Sequence, residues 1–478
     1  MIQSIDYVAI GAPLALALAA GLVLLLDVFR PRRTPGPLGL VTLAGVVVAG
    51  GFVAAQALGG GERRTFCTAG AGCSFVVDGF TLVLSGLVLG AGVVVVLLSM
   101  TELAERRIPP GEWYFLLLCA LTGAVLLPAA RDLATLVVAL ELVSLPVFAL
   151  TALKRYDGRA SEAALKLFLV SVISTAVTLF GVSLLYGLTG TLYLEPLSAA
   201  LSGAAASGAA SVAVVLVLAG FAFKVAAVPF HFWAGDVYQG APVPVAALLS
   251  VVSKAAGFAG LILILTVGLP GQAALWAPVV AVVAALTMTA GNVLALRQRA
   301  ALRLLAWSSV AQSGYILAPL AVIGGSARDA SVAYLVIYAA MNLGAFAVVM
   351  TVSRTAARGE LDDYRGLAFG RPGAAVALGF FLLCLAGLPP GLAGLFAKVV
   401  VFRQIVEGGL GWLAVVMAVN TVIGLYYYIA WTARLFTPAP APPAPVSAPV
   451  PAVLAVGIAV LVTLAFSVAP QLVLAVVG

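Results

Sequence analysis

Long apolar segments, separated by short polar connections, recur along the whole chain. Each is close to the roughly 20 residues that an α-helix needs to cross the hydrocarbon core of a bilayer. The pattern predicts about fourteen transmembrane helices, at residues 8–29, 38–58, 75–100, 112–130, 133–153, 162–187, 210–233, 242–267, 274–296, 301–323, 329–353, 374–404, 410–436 and 447–477. The boundary at 128–132 is the narrowest. We therefore expect an all-α polytopic membrane protein.

Composition agrees with this pattern. Of the 478 residues, 63% are hydrophobic and only 9% are charged, whereas soluble domains carry about 25% charged residues. The connections at 195–209 and 437–451, rich in small residues and in Pro and Ala respectively, are expected to be simple links. The sequence thus predicts one integral membrane domain, 1–478, with N-terminal helices in 1–111 and a C-terminal helix in 447–478.

The distribution of basic residues predicts the orientation of the chain. With the N-terminus outside, sixteen basic residues fall in inside loops: Arg30, Arg32, Arg33, Arg106, Arg107, Lys154, Arg155, Arg159, Arg297, Arg299, Arg303, Arg354, Arg358, Arg365, Arg371 and Arg434. The outside loops and span edges hold five: Arg63, Arg64, Arg131, Arg328 and Arg403. This asymmetry follows the positive-inside rule. It also explains the net charge of +7 better than nucleic-acid binding does.

Lysine and arginine occupy different places in this pattern. None of the 20 arginines lies deep in a predicted span, whereas four of the five lysines lie inside spans: Lys166, Lys224, Lys254 and Lys398. A charged side chain at membrane depth is costly, so it is a functional hypothesis by default. Because a buried lysine can release its proton and an arginine in practice cannot, this placement favours protonation chemistry.

The stretch 220–257 concentrates these features. It contains Lys224, Pro229, His231 and Lys254, and the fifth span carries Glu141 within LATLVVALELVSLPVFAL. A buried carboxylate needs a partner, and Lys224 is the one we expect. The structural alternative is a static ion pair, although buried pairs stabilise proteins poorly compared with apolar packing.

Two spans are predicted to be broken. Pro229 follows Lys224 in the seventh span, and Gly387-Leu388-Pro389-Pro390-Gly391 precedes Lys398 in the twelfth. Proline removes a backbone donor and interrupts the helix. Broken helices in two related halves are typical of transporters, so we predict inverted five-helix repeats at spans 4–8 and 9–13, residues 112–267 and 274–436. The alternative for Lys398 is a side chain that snorkels to the interface.

Other polar residues have equally plain alternatives. Lys254 could form an ordinary buried pair, and Lys166 lies four residues after Glu162, which suits a surface ion pair as well as a relay. His231 is more often a structural residue than a shuttle, and Asp236 could be a solvated cap. Cys119 and Cys384 are expected to be inert fillers, and Cys67 and Cys73 could form a disulfide if their loop faces an oxidising side.

Several stretches together resemble a known family. GFAFKVAAVPFHFWAGDVYQGAPVP, LELVSLPVFAL, RLLAWSSVAQSGY and LPPGLAGLFAKVVVF resemble the N subunit of the proton-pumping NADH–quinone oxidoreductase, respiratory complex I. This subunit belongs to the wider antiporter-like group. The run DVYQGAP favours N over its relatives, and the resemblance covers essentially the whole chain.

The resemblance implies a proton relay. It implies a glutamate–lysine pair, Glu141 and Lys224, a central lysine, Lys254, and a terminal lysine, Lys398. Auxiliary positions on the path would be Lys166, His231, Ser309, Gln312 and Tyr315. Gln312 stands where the family often has histidine, and Leu302 where relatives often have lysine. Because glutamine cannot titrate, protons there would need water together with Ser309, Ser313 or Tyr315.

The resemblance also implies the surroundings of the chain. We expect no cofactor in it, with NADH, FMN, iron–sulfur clusters and quinone in other subunits, and M-, K-, J- and A-like subunits as partners in a bacterial plasma membrane. One alternative is a subunit of a multisubunit cation/proton antiporter or membrane-bound hydrogenase. Another is a structural membrane-arm subunit that does not pump. The buried lysines and Glu141 argue against a scaffold, which has little reason to keep them.

Overall fold

The computed structural model describes residues 5–29, 36–68, 72–105, 108–154, 157–202, 208–324, 326–354, 359–438 and 448–477. Seven of the arginines assigned to inside loops lie outside these described residues: Arg30, Arg32, Arg33, Arg106, Arg107, Arg155 and Arg358. The orientation drawn from them therefore stays a prediction.

Twenty α-helices form almost all of the described chain. The first ten are α1 Gly11–Phe29, α2 Gly36–Gly59, α3 Gly79–Glu105, α4 Pro110–Leu126, α5 Leu133–Ala152, α6 Gly158–Thr189, α7 Leu194–Ser202, α8 Gly208–Lys224, α9 Trp233–Gly240 and α10 Val243–Leu248. The others are α11 Lys254–Leu263, α12 Ala273–Leu296, α13 Ala301–Leu317, α14 Ala327–Ser353, α15 Leu367–Gly370, α16 Pro372–Ala386, α17 Leu392–Glu407, α18 Gly411–Phe436, α19 Val450–Val468 and α20 Gln471–Val477.

Shorter turns join or extend these helices. There are 3₁₀ turns at Leu127–Ala129, Pro270–Gln272, Ala318–Ala321 and Leu361–Tyr364, and π-helical turns at Leu249–Ser253 and Ile264–Gly268. At the narrow 128–132 boundary, the 3₁₀ turn ends α4 and Asp132 caps α5 by accepting a hydrogen bond from the Thr135 backbone N–H at 2.8 Å. The close succession of two spans predicted there is therefore confirmed.

The polytopic all-α fold is confirmed. Within the described ranges, eleven helical segments are long and apolar enough to cross a membrane. The seventh, tenth and twelfth predicted spans are built from shorter helices: α8, α13, and α16 followed by α17. A total of fourteen crossings, and the grouping into repeats, remain predictions.

The seventh and twelfth spans are broken, as predicted. Helix α8 ends at Lys224 and helical structure resumes only at Trp233, while α16 ends at Ala386 and α17 begins at Leu392. The interpretation of 195–209 as a plain link is wrong, since Leu194–Ser202 forms α7, with Leu194, Leu197 and Leu201 buried.

A two-stranded antiparallel hairpin lies between α2 and α3. Strand β1 (Arg63–Thr68) pairs with β2 (Gly72–Val77), and a disulfide joins Cys67 to Cys73. The disulfide considered from the sequence is thus confirmed. Arg63 forms a 3.0 Å ion pair with Asp6. This contact fixes the hairpin beside the segment that leads into α1.

The chain forms two compact units. The first comprises Met1–Val93, Arg107–Ala226 and Val252–Val279, in which α4 packs on α1 and α5, and α6 packs on α8. The second comprises Val94–Arg106, Ala227–Val251 and Val280–Gly478, in which α14 packs against α16, α17 and α19. Since α14 is buried on nearly all sides, its almost continuous apolar sequence is that of a core helix.

Candidate functional site

Lys224 lies at the last position of α8, in a buried polar pocket of the first unit. The residue as a whole is 8% exposed. The ammonium group donates a hydrogen bond to the Ser144 hydroxyl of α5, and another to the Ser171 hydroxyl of α6 at 3.1 Å. Both partners are neutral, so the hydroxyl groups solvate the charge without cancelling it.

Glu141 lies one helical turn before Ser144 on the same face of α5. One of its carboxylate oxygens, Oε1, is 3.9 Å from the Lys224 ammonium and accepts a 2.6 Å hydrogen bond from the Thr175 hydroxyl. The expected partners are therefore brought together. Their separation is at the outer limit of an ion pair, however, and each charge has hydroxyl partners of its own.

Glycines allow α6 and α8 to approach closely enough to form this pocket. A Cβ on Gly181 of α6 would lie 2.9 Å from the backbone nitrogen of Val217 on α8, closer than non-bonded atoms normally come. Near the same interface, the Ser174 hydroxyl donates to the Gly220 carbonyl at 3.2 Å. This close packing holds Lys224 within reach of Ser171.

Lys254 is more deeply buried, with 1% of its surface exposed. It begins α11 directly after the π-helical turn Leu249–Ser253. Such turns insert an extra residue into a helix and are frequent at functional sites. The apolar sequence predicted the burial of this lysine but gave no sign of the π-helical turn.

Lys398 fills the break between α16 and α17. Its ammonium group donates to the carbonyl oxygens of Leu385 and Ala386, at 3.1 and 2.6 Å. In a continuous helix these carbonyls would accept from the residues four positions later. Those residues are Pro389 and Pro390, which have no N–H group. The lysine thus supplies the two missing donors, and a side chain that snorkels away from this site is excluded.

A network of buried hydroxyl and amide groups lies on α13, α14 and α18. The Tyr334 hydroxyl donates to Gln312 at 2.6 Å, and the Gln312 amide donates to the Tyr428 hydroxyl at 3.3 Å. Tyr428 lies 2.5 Å from the Ser308 hydroxyl. Gln312 therefore occupies a buried position in which its amide both accepts and donates a hydrogen bond.

The other two candidates on α13, Ser309 and Tyr315, have hydrogen-bond partners of their own. Ser309 accepts a 2.8 Å hydrogen bond from the Tyr338 hydroxyl, and Tyr315 accepts one from the Asn292 amide at 3.3 Å. The Lys398 ammonium lies 5.7 Å from the centre of the Tyr315 ring, within the range of a cation–π contact. Tyr315 thus contacts both Lys398, at the helix break, and Asn292.

The remaining candidates have plainer surroundings. Lys166 forms a 2.6 Å pair with Glu162, and both side chains are substantially exposed, which is the geometry of the surface alternative. His231 lies in the non-helical stretch after α8, so it does not share a helical face with Lys224, and its ring packs against Trp307. Asp236 lies in the first turn of α9, partly exposed, and forms a 2.9 Å ion pair with Arg303.

The sequence interpretation missed several residues that shape the site. They are the hydroxyl partners of the charged pair and the tyrosines and asparagine around α13: Ser144, Ser171, Thr175, Tyr334, Tyr338, Tyr428 and Asn292. Polar residues inside apolar spans were the available signal. Their partners could not be read from the sequence, since they lie on segments far apart along the chain.

The arrangement suits proton transfer. In each unit, a buried lysine donates hydrogen bonds to neutral acceptors: Lys224 to two hydroxyls in the first unit, and Lys398 to two backbone carbonyls in the second. Among the described residues, no group of three or more His, Cys, Asp or Glu side chains could hold a metal ion.

Comparison with known proteins defines the class first. The family model described as "NADH:quinone oxidoreductase/Mrp antiporter, TM" matches residues 130–424, which contain all four buried or half-buried charges of the predicted relay. Fold and site together thus define an antiporter-like membrane subunit.

Individual relatives define the family. NADH-quinone oxidoreductase subunit N 2 of Streptomyces griseus is 55% identical over 455 residues, covering 92% of this chain and 85% of the relative. Subunit N of Salinispora tropica is 47% identical over 461 residues, covering 92% and 87%. A chain of the solved structure of respiratory complex I from Thermus thermophilus with bound Aureothin is 32% identical, with a TM-score of 0.79, covering 97% and 98%. The chain belongs to the NADH-quinone oxidoreductase subunit N family, which confirms the resemblance.

Proposed function

We propose that this chain is a proton-translocating membrane-arm subunit of an NADH–quinone oxidoreductase in which Glu141, Lys224, Lys254 and Lys398 form the proton relay. The observation that carries the proposal is the pocket of Lys224. Its ammonium group is buried among neutral hydroxyls, with its carboxylate partner 3.9 Å away. A pair built only for stability would be in direct, multiply hydrogen-bonded contact.

The pocket can hold Lys224 in both protonation states. A serine hydroxyl accepts a hydrogen bond from an ammonium group and can donate one to a neutral amine. Glu141 favours the charged state of Lys224, since an opposite charge nearby stabilises it. A movement that increases their separation would make the lysine release its proton more readily. The proton would then pass through water to the next member of the relay.

The surroundings of Lys398 can also accommodate both of its protonation states. An ammonium group has three N–H bonds and a neutral amine has two. Because two backbone carbonyls accept from this side chain, both hydrogen bonds can persist after one proton has left. The broken helix would then keep its shape while the charge changes. Ser309, Gln312 and Tyr315 would guide protons in this region with the help of water, and the tyrosines bonded to them would extend the path.

The remaining candidates have smaller roles in the proposal. Lys254, which begins α11 after the π-helical turn, would be the central lysine of the relay. His231 and Lys166 stay predicted auxiliary positions, although the exposed pair of Lys166 with Glu162 gives no support for a relay role.

The energy would come from electron transfer elsewhere in the complex. NADH, FMN, iron–sulfur clusters and quinone would be held by other subunits, and M-, K-, J- and A-like subunits would be the neighbours of this chain in a bacterial plasma membrane. The N-terminus would lie outside. The Cys67–Cys73 disulfide supports this orientation, because disulfides persist in oxidising compartments and the hairpin is ion-paired to Asp6 beside α1.

Proton pumping in sealed vesicles tests the proposal. Lys224→Met and Lys398→Met remove the charge at nearly constant length, and Lys154→Met is the matched control because Lys154 pairs with Asp157 outside the spans. We expect both span variants to assemble and to lose pumping, together with coupled quinone reduction, while the control stays active. Normal pumping by an assembled Lys224→Met complex would instead identify a scaffold.

A further inference from the structure

An apolar cleft lies between α16 and α19 in the second unit. Both helices pack against α14, and Val348 and Thr351 of α14 are among the residues that line the cleft. Its volume is about 860 Å³, within the range of roughly 300–1,000 Å³ that is typical of binding sites for small molecules. None of the proposed relay residues lines it.

Small residues keep this cleft open. Gly373 on α16 and Gly457 on α19 line it, and a Cβ added to either glycine would meet no heavy atom within 4 Å. Small residues in membrane helices usually serve close helix contacts, as Gly181 does here. At these two positions the glycines instead leave space that no other part of the described chain fills.

The cleft has the length and polarity of one phospholipid chain with its headgroup. Along α16 it is lined from Arg371 to Leu383, which is about 18 Å at 1.5 Å per residue, close to half of the roughly 30 Å hydrocarbon core. Arg371 lies at one end, beside Thr351, and the walls between are apolar. By the distribution of basic residues, Arg371 is predicted to lie at the inner face.

We propose that the cleft binds a membrane phospholipid, with an acyl chain between α16 and α19 and its phosphate at the Arg371 guanidinium. Apolar cavities of this kind do not hold water, and in a bilayer lipid chains are the apolar molecules at hand. Guanidinium groups bind phosphate in a bidentate, charge-assisted manner. The far end of the chain would contact Pro390, which also lines the cleft. The lipid would therefore pack against the broken helix that Lys398 completes.

Photolabelling of the whole complex tests this proposal. The probe is phosphatidylglycerol with a diazirine near the end of one acyl chain, incorporated into nanodiscs with the purified complex, and labelled peptides are identified by mass spectrometry. Gly457→Leu fills the cleft, and Arg371→Gln removes the charge. Gly51→Leu on α2 is the matched control, since Gly51 is also exposed with no heavy atom near its Cβ position.

We expect labelling on α16 and α19 in the wild type. This labelling should fall about tenfold in each cleft variant and remain unchanged in Gly51→Leu. For Arg371→Gln, a tenfold fall corresponds to the loss of one charge-assisted hydrogen bond. Wild-type labelling no stronger in the cleft than on α2 would overturn the proposal, as would cross-linking of this face to another subunit. If Gly457→Leu does not assemble, the wild-type pattern and Arg371→Gln still decide. Proton pumping is not needed for either result.

Discussion

Removing one charge of the Glu141–Lys224 pair should destabilise the subunit much more than removing both. Two unit charges 3.9 Å apart interact by about 4 kcal/mol at an effective dielectric constant of about 20. Loss of one partner leaves the other buried without its counter-charge, whereas loss of both leaves a neutral pocket. We therefore expect Glu141→Gln and Lys224→Met each to destabilise the subunit, and the double variant to recover most of that loss.

The two single variants should destabilise the subunit by different amounts. The Lys224 side chain is 7% exposed and that of Glu141 is 23% exposed. Water can therefore reach the carboxylate left by Lys224→Met more easily than the ammonium left by Glu141→Gln. We expect Glu141→Gln to reduce stability by about 3 kcal/mol and Lys224→Met to reduce it by less. The loss in Glu141→Gln is limited because a buried lysine can become neutral.

The assay compares retention of the subunit in the solubilised complex after stepwise heating, and pumping is measured on the same preparations in vesicles. The double variant should be nearly as heat-resistant as the wild type and yet fail to pump. Additive losses in the double variant would mean that the charges do not interact, and the account of this pocket would then be wrong.

Three further predictions follow from particular contacts. Gly181→Ala should push α8 away from α6 and cost about 1–3 kcal/mol of stability, measured as retention of the subunit after heating. Gly187→Ala on the same helix, where a Cβ meets nothing within 4 Å, should be neutral or stabilising. Equal effects of the two substitutions would refute the close-packing argument. Lys398→Arg should keep donors for the Leu385 and Ala386 carbonyls but stop pumping, because arginine does not release its proton; retained pumping would exclude proton release at this position. In intact cells, an impermeant maleimide should label Cys67 and Cys73 only after treatment with an impermeant reductant, and labelling only after permeabilisation would reverse the predicted orientation.

The sequence predicted the fold well because hydropathy and the cost of buried charge act locally. Apolar length placed the helices, and the prolines at 229 and at 389–390 placed the two breaks. The sequence even identifies Leu385 and Ala386 as the residues whose carbonyls lack a helical donor, because the prolines four residues later have no N–H group. That the Lys398 side chain would fold back to supply the missing donors depends on the path of the chain after the break, which the local sequence does not determine.

The candidate site was predicted less completely. The burial of Glu141 and Lys224 could be predicted, since both lie within apolar spans, but Ser144, Ser171 and Thr175 become their partners only through the packing of three helices. The network around Gln312 is similar, because it joins residues more than a hundred positions apart, such as Gln312 and Tyr428. Tertiary packing, rather than local pattern, decides which polar side chains meet.

The central claim is that Lys224 works by releasing its proton, and Lys224→Arg tests it most directly. Arginine keeps a positive charge near Glu141 but cannot deprotonate in practice. The measurement is the initial rate of proton uptake by sealed vesicles, driven by NADH, in complexes shown to contain the subunit at wild-type level. The account predicts that Lys224→Arg assembles and that its pumping is abolished. Pumping at the wild-type rate would contradict it, and would mean that only the charge of this residue is needed.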